Sequence, residues 1–523
     1  MPGHLTGHIV VVGGGTAGWL TAARLGAMPD VDRRVTLIES PEVASVGVGE
    51  GTWPTMRATL QAVGLPERAV LAECDASFKQ GTLFKRWRCD SPHDTYLHPF
   101  SLPPDYATRN LAEYWRDGSV TRPFDQTVTP QYRIATMGRA PKGSDAPDYA
   151  FAMNYGYHFD AVKFAALLRR HCLDRLGVRH IQGHVSGVSR DDEGFLESVS
   201  LDSGEAIGGD IFIACSGHRG LLIGDHFGVE PRSLCSALPN NRAVVTQVPY
   251  QTENDEIHSC TRSTAMANGW IWDIGLQSRR GVGYVHCADF ISEDEAQSEL
   301  QGVVAAEVGS RQAAQLNYRV LHFKPGYRDS PWVKNCVAVG LSAGFIEPLE
   351  ASALAMIEQA LNFLVDCFPC DRELMGPASR AFNAKMRDHW RSIEDFLKLH
   401  YVLSGRRDSP YWRAVTDPAT ASDNLNDKLA LWRVRAPWHA DAPRVDELFP
   451  AASYQYVWLG MGGHVDQAPE EVANRPSAEI AALDRVLHDV QRRSAELVRA
   501  MPSNRELLRT LAETQPGESM VAS

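Results

Sequence analysis

A glycine-rich turn near the start of the chain places the strongest constraint on the fold. Ile9–Val12 is a continuous apolar run, typical of a buried parallel strand, and the helical pattern WLTAARLGA follows the turn. Glycines let the backbone turn tightly and approach a pyrophosphate, and the amides at a helix N-terminus favour negative charge. We therefore predict a dinucleotide-binding turn whose cofactor contacts are Gly13, Gly15, Thr16, Ala17 and Gly18. The alternative is a glycine-rich turn that binds no ligand.

Later segments favour FAD over NAD as the dinucleotide. A second apolar run, RVTLIES, ends at Glu39, 21 residues after Gly18, where a carboxylate can bind the ribose hydroxyls of an adenosine. The strand-like DIFIACSG (Asp210–Gly217) could close the nucleotide sheet. The segment CVAVGLSAGFIEPLE (Cys336–Glu350), which includes Leu341, could bring a strand and a loop to the flavin ring. An extended flavin is contacted by dispersed segments of this kind.

Composition narrows the choice of partners. The 523 residues suffice for two or three domains at about 150 residues each. A net charge of -12 argues against a nucleic-acid partner, because phosphate binding needs a cationic face. No signal peptide or membrane span is recognisable, so we expect a cytoplasmic protein. Cys367 and Cys370 form a C-x-x-C without a second pair, so no metal site is expected. The last residues, TQPGESMVAS, have the composition of a frayed tail.

Five motifs in chain order resemble those of flavin-dependent halogenases of the tryptophan-halogenase family. They are GGGTAGW, VGVGEGTWP (Val46–Pro54), SFK ending at Lys79, GWIWDIG (Gly269–Gly275) and GFIEPLEAS (Gly344–Ser352). The resemblance also includes YHFDA and HYVLSGRRDSPYW, and it covers about residues 8–465. It implies an α/β fold, with a discontinuous FAD-binding core like that of flavoprotein monooxygenases, an inserted β-sheet and a largely helical C-terminal region.

The resemblance also implies a domain plan. We expect an FAD-binding core over residues 1–370, with an inserted substrate-side sheet at about residues 225–325, and a mainly helical substrate-cavity region over residues 371–523. Gly49, in the strap-like VGVGEGTWP, is expected to contact the flavin. A homodimer is compatible with these features.

Two tryptophans one residue apart are assigned to the flavin site by the resemblance. Family members carry W-x-W-x-I-P beside the flavin, and this chain reads Trp270-Ile271-Trp272-Asp273-Ile274-Gly275. Trp270 and Trp272 would form a wall that keeps organic substrate away from the flavin. Gly275 replaces the proline, which we expect to loosen the local backbone. Taken alone, alternating tryptophans indicate a half-buried strand.

The resemblance assigns the catalytic roles to Lys79 and Glu350. Lys79 would hydrogen-bond hypohalous acid or capture its halogen as a haloamine, two roles that suit a desolvated lysine. Pro348 predicts a helix start, so Glu350 would lie in the first turn and orient the halogenating species or accept the arenium proton. The amides of Ser352 and Ala353 would bind halide, although Ala353 replaces the family's glycine. Glu347 is the rival carboxylate.

The substrate residues implied by the resemblance are His98, Phe100 and Trp458. An imidazole and a phenyl ring suit an electron-rich arene. Members that act on free tryptophan hold its amino-acid groups with a tyrosine pair and a glutamate, and Glu447, Tyr454 and Tyr456 do not reproduce that pattern. Indole, another phenolic or heteroaromatic compound, or a tethered peptide is therefore at least as good a candidate as free tryptophan.

These residues predict halogenation of an electron-rich, indole-type aromatic compound. A separate flavin reductase would deliver FAD as FADH2, because only one nucleotide motif is present. Chloride or bromide would be oxidised to hypohalous acid, which would reach Lys79. A flavin-dependent aromatic hydroxylase and a non-catalytic flavin-binding protein are the alternatives.

Overall fold

A computed structural model describes residues 7–29, 33–41, 49–116, 120–463 and 476–513. Residues 46–48 of the strap and the tail TQPGESMVAS lie outside the described residues. The strands are β1 (His8–Val12), β2 (Arg34–Glu39), β3 (Gly49–Gly51), β4 (Ser77–Lys79), β5 (Gly81–Lys85), β6 (Thr95–Pro99), β7 (Gly156–Asp160), β8 (Arg179–Gln182), β9 (Val185–Arg190), β10 (Leu196–Leu201), β11 (Ala206–Gly208), β12 (Ile211–Ala214), β13 (Arg232–Ser233), β14 (Arg242–Pro249), β15 (Thr261–Met266), β16 (Gly269–Gly275), β17 (Arg279–His286), β18 (Arg319–His322), β19 (Gly326–Tyr327), β20 (Trp332–Val333), β21 (Cys336–Ala338) and β22 (Gly344–Phe345).

The α-helices of the same ranges are α1 (Thr16–Gly26), α2 (Thr55–Ala62), α3 (Glu67–Glu73), α4 (Glu113–Arg116), α5 (Phe124–Thr127), α6 (Gln131–Thr136), α7 (Ala161–Arg175), α8 (Glu293–Val308), α9 (Ser310–Ala313), α10 (Ser352–Asp366), α11 (Arg372–Val402), α12 (Pro410–Val415), α13 (Asp423–Leu431), α14 (Ala451–Gly460), α15 (Ser477–Ala500) and α16 (Asn504–Glu513). Short 3-10 helices span Gly217–Arg219, Gly340–Ser342, Leu349–Ala351, Pro418–Thr420 and His439–Asp441, and a π-helix spans Leu221–His226.

The nucleotide end is a six-stranded sheet in the order β20-β21-β12-β1-β2-β8. β1 pairs in parallel with β2 and with β12, and its apolar residues are buried because helices cover the sheet. β12 lies inside the sheet, between β1 and β21, and does not form its edge. Segments far apart in the chain therefore build one α/β core, which is the predicted discontinuous architecture.

A seven-stranded sheet in the order β18-β14-β17-β16-β15-β5-β6 forms the substrate side. Five of its strands lie between Arg242 and His322, and β5 and β6 come from residues 81–99. Thr82 on β5 pairs directly with His98 on β6, so both side chains project from the same face.

A three-stranded sheet, in the order β3-β7-β4, brings together strands that lie far apart in the chain. Gly51 on β3 pairs with His158, and Lys79 on β4 pairs with Gly156. β7 therefore holds Gly51 and Lys79 on its two sides. From Arg372 onward every named element is a helix; the division into residues 1–370 and 371–523 stays a prediction.

Candidate active site

In the glycine turn after β1, side chains at Gly13 and Gly18 would clash with neighbouring atoms, whereas Gly15 faces open space. A Cβ on Gly18 would lie 1.8 Å from the carbonyl oxygen of Gly13. Gly13 has φ 126, and a Cβ there would lie 2.2 Å from the carbonyl oxygen of Cys215. Gly15 is exposed, and a Cβ on it would meet no atom within 4 Å. The open side of the turn is thus at Gly15, where α1 begins and its first amides are free to bind a phosphate.

Glu39 lies over the same turn. A Cβ on Gly14 would come within 2.3 Å of the Glu39 carboxyl group, so any side chain at Gly14 would require Glu39 to move. The carboxylate also lies 2.9 Å from His180 Nε2 and 4.0 Å from an Arg169 nitrogen. A carboxylate held at the end of β2 is suited to bind ribose hydroxyls.

Two remote segments approach this nucleotide end. Gly340 has φ 67, and a Cβ there would lie 2.7 Å from Ala17 Cβ, so the 3-10 turn Gly340–Ser342 lies against the start of α1. Leu341, in this turn, is 41% exposed. Gly49 packs against Ile274 at the end of β16. The glycine turn, Glu39 and the turn Gly340–Ser342 therefore lie together at the nucleotide end, and contact of Leu341 and Gly49 with the flavin stays a prediction.

Lys79 is buried at the end of β4, with 1% of its surface exposed. Burial lowers its pKa to about 8, although the charge of Glu350 opposes the shift. A Cβ on Gly51 would lie 3.1 Å from Lys79 Nζ and 3.4 Å from Ala351 Cβ. The absence of a side chain at Gly51 therefore lets the lysine and the Glu350 segment approach each other.

The backbone at Glu350 is sharply kinked. Glu350 and Ala351 have φ 64 and 56, left-handed values that each cost about 1–3 kcal/mol outside glycine. Trp53 holds the kink by donating its indole N–H to the Glu350 carbonyl oxygen at 2.7 Å. The helix expected from Pro348 is thus displaced: the kink lies within the 3-10 turn Leu349–Ala351, and α10 begins at Ser352.

Two histidines and a threonine surround the Glu350 carboxylate. His98 Nδ1 lies 2.7 Å and His400 Nε2 3.3 Å from Oε1, and Thr82 donates to Oε2 at 3.2 Å. Burial by itself raises the pKa of Glu350, but the charges of His98 and His400 and the hydrogen bond with His98 outweigh it and hold the pKa well below the ordinary value. Glu350 is therefore an ionised carboxylate whose Oε2 has the fewer partners.

The aromatic residues expected to contact substrate separate into two groups. His98 is buried, and its Nε2 lies 2.9 Å from Ser453 Oγ. Phe100 lies beside Lys79, whose Nζ is 5.5 Å from the ring centre. Trp458 packs against Trp432 on a face of α14 turned about 140° from Ser453. The structure thus brings His98 and Phe100 to the Lys79–Glu350 site, whereas contact of Trp458 with the substrate stays a prediction.

No role was predicted from the sequence for three aromatic residues that lie near Glu350, namely Trp53, Phe396 and Phe449, nor for His400 and Ser453. Phe449 stacks on Phe396 with ring centres 3.7 Å apart and meets the edge of Trp53 at 4.9 Å. Phe396 also lies 5.5 Å from the ring of His98. Trp53 and His400 stand inside the quoted motifs VGVGEGTWP and HYVLSGRRDSPYW, but Phe396, Phe449 and Ser453 carry no local signal.

Trp270 and Trp272 project from the same face of β16, as alternation along a strand requires. Their ring centres are 6.2 Å apart, and Trp272 covers Gly283, where a Cβ would lie 2.1 Å from the indole. Ile274, on the same face, contacts Gly49. Trp270 lies 6.1 Å from Trp87, which in turn packs against His400. Trp270 therefore lies towards the aromatic rings around Glu350, and Ile274, on the same face of β16, lies against Gly49 of the strap.

Gly275 occupies a regular position in the ladder. It pairs with Arg280, and its carbonyl oxygen accepts a hydrogen bond from Ser77 Oγ at 2.5 Å. Strand pairing and the Ser77 hydrogen bond hold Gly275 in the ladder, and the looser backbone expected at this glycine stays a prediction.

Glu347 belongs to a different buried cluster. Tyr401 donates to its Oε1 at 2.7 Å, and Asn240 Nδ2 donates to its Oε2. Burial raises the pKa of Glu347 despite these hydrogen bonds. The carboxylate is fully enclosed, so Glu350 is the carboxylate that faces the Lys79 site.

The remaining expectations concern ions and membranes. Ser352 and Ala353 are the first two residues of α10, where helix amides have no partner inside the helix. Among the described residues, no group of three or more histidine, cysteine or acidic side chains could hold a metal ion. In the same part of the chain, no helix has the length and apolarity to cross a membrane.

Comparison with known proteins identifies the family. The family model described as tryptophan halogenase matches residues 8–477. Tryptophan 7-halogenase RebH of Lentzea aerocolonigenes is 33% identical over 96% of this chain and 98% of its own. Tryptophan 6-halogenase ThaL of Streptomyces albogriseolus is 32% identical with the same coverage.

Solved structures similar to this chain are also halogenases. A tryptophan halogenase from Shewanella frigidimarina NCIMB 400 has a TM-score of 0.93 and 42% identity, over 98% of each chain. BrvH, a flavin-dependent halogenase from Brevundimonas sp. BAL3, has a TM-score of 0.84 and 31% identity, over 97% of this chain and 99% of its own. The family uses FAD, halide and a separate flavin reductase. The family model over residues 8–477 and the relatives of 32% and 33% identity show that this chain belongs to the tryptophan halogenase family of flavin-dependent enzymes.

Proposed function

We propose that this enzyme halogenates an electron-rich, indole-type arene between Lys79 and Glu350. The observation that carries the proposal is that Lys79 and Glu350 are both buried and that Lys79 Nζ and the Cβ of Ala351, the residue after Glu350, lie 3.1 and 3.4 Å from the position of a Cβ on Gly51. Bound FADH2, supplied by a separate reductase, provides with oxygen the means to oxidise halide.

Lys79 receives the oxidised halogen. Its pKa of about 8 makes two forms accessible near neutral pH: the ammonium, which donates hydrogen bonds to hypohalous acid, and the neutral amine, which can form a haloamine. The aromatic face of Phe100 lies next to the nitrogen and excludes water from it. Chloride or bromide would be held by the amides of Ser352 and Ala353 at the start of α10.

Glu350 takes the proton that the substrate must lose. Once the ring carbon has bonded to halogen, its C–H bond breaks, the electron pair returns to the ring, and the proton goes to the carboxylate. Oε2 is suited to this role because His98 and His400 engage Oε1. The low pKa keeps the carboxylate ionised and ready at neutral pH.

The site holds its substrate by aromatic contacts, and Glu447, Tyr454 and Tyr456 do not form an anchor for the amino and carboxylate groups of an amino acid. Glu447 is paired with Arg444 at 2.9 Å, and Tyr456 donates its hydroxyl to the Ser101 carbonyl oxygen at 3.1 Å. Tyr454 is buried against Phe396. Because these groups already have partners, they support a substrate such as indole over the zwitterion of free tryptophan.

A competition assay tests the proposal. Enzyme, FADH2, oxygen and bromide are incubated with equimolar indole and tryptophan, and products are identified by mass spectrometry. We expect brominated indole to equal or exceed brominated tryptophan, with the nucleophilic carbon of the pyrrole ring favoured. Hydroxylated products would establish the hydroxylase alternative. A strong preference for tryptophan, with one benzo-ring isomer, would contradict the substrate assignment.

A further inference from the structure

Ser453 connects helix α14 to the Glu350 carboxylate through His98. Its Oγ lies 2.9 Å from His98 Nε2, and His98 Nδ1 lies 2.7 Å from Glu350 Oε1. Each of the three side chains is at most 7% exposed. A hydroxyl, an imidazole and a carboxylate thus form a continuous hydrogen-bonded chain inside the candidate active site.

The chemistry of the three groups fixes the orientation of His98. An ionised carboxylate can only accept hydrogen bonds, so His98 Nδ1 carries the hydrogen that Glu350 Oε1 accepts. Nε2 then accepts the Ser453 hydroxyl hydrogen when the imidazole is neutral, and donates to the hydroxyl oxygen when it is charged. Because a hydroxyl can do either, the contact between Ser453 and His98 survives a change in the charge of His98.

We propose that Ser453 is a positioning residue for the deprotonation step. Ser453 fixes the His98 ring, His98 holds Oε1 of Glu350, and Oε2 is left to take the proton of the substrate. Ser453 and His98 undergo no net proton change. This inference rests on the proposed function.

The surroundings explain why His98 depends on Ser453. The rings of Phe396, Phe449 and Tyr456 lie 5.5, 6.5 and 6.5 Å from its own and supply packing without an in-plane hydrogen bond. Glu350 is faced in addition by Thr82, His400 and the charge of Lys79. Helix α14 begins at Ala451, two residues after Phe449. The helix that carries Ser453 is therefore adjacent in the chain to one of the aromatic residues of the site.

A hydrogen isotope effect tests this role. Aromatic halogenation shows little primary isotope effect when loss of the ring proton is fast, and the effect grows when the base is misplaced. In Ser453→Ala, single-turnover halogenation with supplied FADH2 should slow about fivefold, the value of one hydrogen bond. Substrate deuterated at the reacting carbon should then react more slowly than protiated substrate. Ser453→Thr, which restores the hydroxyl, should return both values towards wild type.

Ser494→Ala is the matched control, because Ser494 is equally buried on α15 and its Oγ has no hydrogen-bond partner. It should behave as wild type. A Ser453→Ala enzyme with normal flavin content, rate and isotope effect would overturn the inference. If Ser453→Ala does not bind FAD, Ser453→Cys, which keeps the size but weakens the hydrogen bond, is measured in the same way and against the same criteria.

Histidine NMR separates this inference from the proposed function. The imidazole signals of His98, assigned by their loss in His98→Asn, should shift in Ser453→Ala and stay unchanged in Ser494→Ala. Unchanged signals in Ser453→Ala would overturn the inference even if the enzyme halogenates indole. Failure of wild type to halogenate any arene would overturn the proposed function, and the deprotonation role of Ser453 with it, whereas the His98 signals would still report whether Ser453 orients the imidazole.

Discussion

Replacement of His98 by asparagine should make the halogenation rate fall at acidic pH, whereas ionisation of Glu350 should cause no such fall in the wild-type enzyme. Glu350 must be ionised to accept the substrate proton, and its low pKa depends on His98 and His400. Removal of one imidazole leaves burial, which favours the neutral acid, opposed by a single histidine.

Another glutamate of the same chain gives the magnitude. Glu358 is 2% exposed and accepts hydrogen bonds from Thr55 and Thr59, but burial raises its pKa from 4.5 to about 7. That rise corresponds to about 3 kcal/mol in favour of the neutral acid. Glu350 in His98→Asn keeps Thr82 and His400, so its pKa should fall between the ordinary value and that of Glu358.

The direction of the pH effect on the rate follows from the protonation of Glu350. A raised carboxyl pKa removes the ionised form as pH falls, so the variant should be active at pH 8 and lose activity on acidification. If the pKa rose as far as that of Glu358, about 7, the rate at pH 5 would be roughly 100-fold lower than at pH 8, which sets the upper limit of the loss. Wild type, whose Glu350 pKa lies well below the ordinary value, should show no such loss from this group.

The assay is single-turnover halogenation with prereduced FAD, quenched at intervals between pH 5 and 8. His389→Asn is the control, because His389 is a buried histidine of α11 that lies near Asp446. Its profile should match wild type. A His98→Asn enzyme with normal flavin content and the same profile as His389→Asn would refute the argument that His98 sets the ionisation of Glu350.

Three other substitutions test the site. Lys79→Ala should lower halogenation about 10²-fold or more and spare FAD binding, and near-wild-type turnover would contradict the role of the lysine. Gly51→Ala places a methyl group 3.1 Å from Lys79 Nζ, so steady-state kinetics should show a lower kcat while FAD affinity, measured by fluorescence titration, changes little. Glu350→Gln should reduce the single-turnover rate far more than Glu347→Gln, since only Glu350 faces the lysine, and the reverse order would exchange their roles.

Local sequence determined the nucleotide end. An apolar strand, a glycine turn and a helix start are contiguous within residues 9–26, and a Cβ on Gly18 would clash with Gly13 of the same turn. The clash that a Cβ on Gly13 would meet is with Cys215, which only folding brings there. Local sequence also determined the placement of the two tryptophans, because alternation along a strand places them on one face. Lys79 and Glu350 were identified by resemblance of their motifs, which names the residues without giving their surroundings.

The tertiary structure alone decided how Glu350 is presented. Local rules place a helix start at Pro348, but a left-handed kink at Glu350 and Ala351 delays α10 to Ser352. The kink is held by the indole of Trp53, almost 300 residues earlier in the chain. Likewise, the ionisation of Glu350 depends on His98 and on α11, and the orientation of His98 on Ser453. Backbone strain and a buried charge are offset only by partners that folding brings together, and spacing along one chain does not specify such partners.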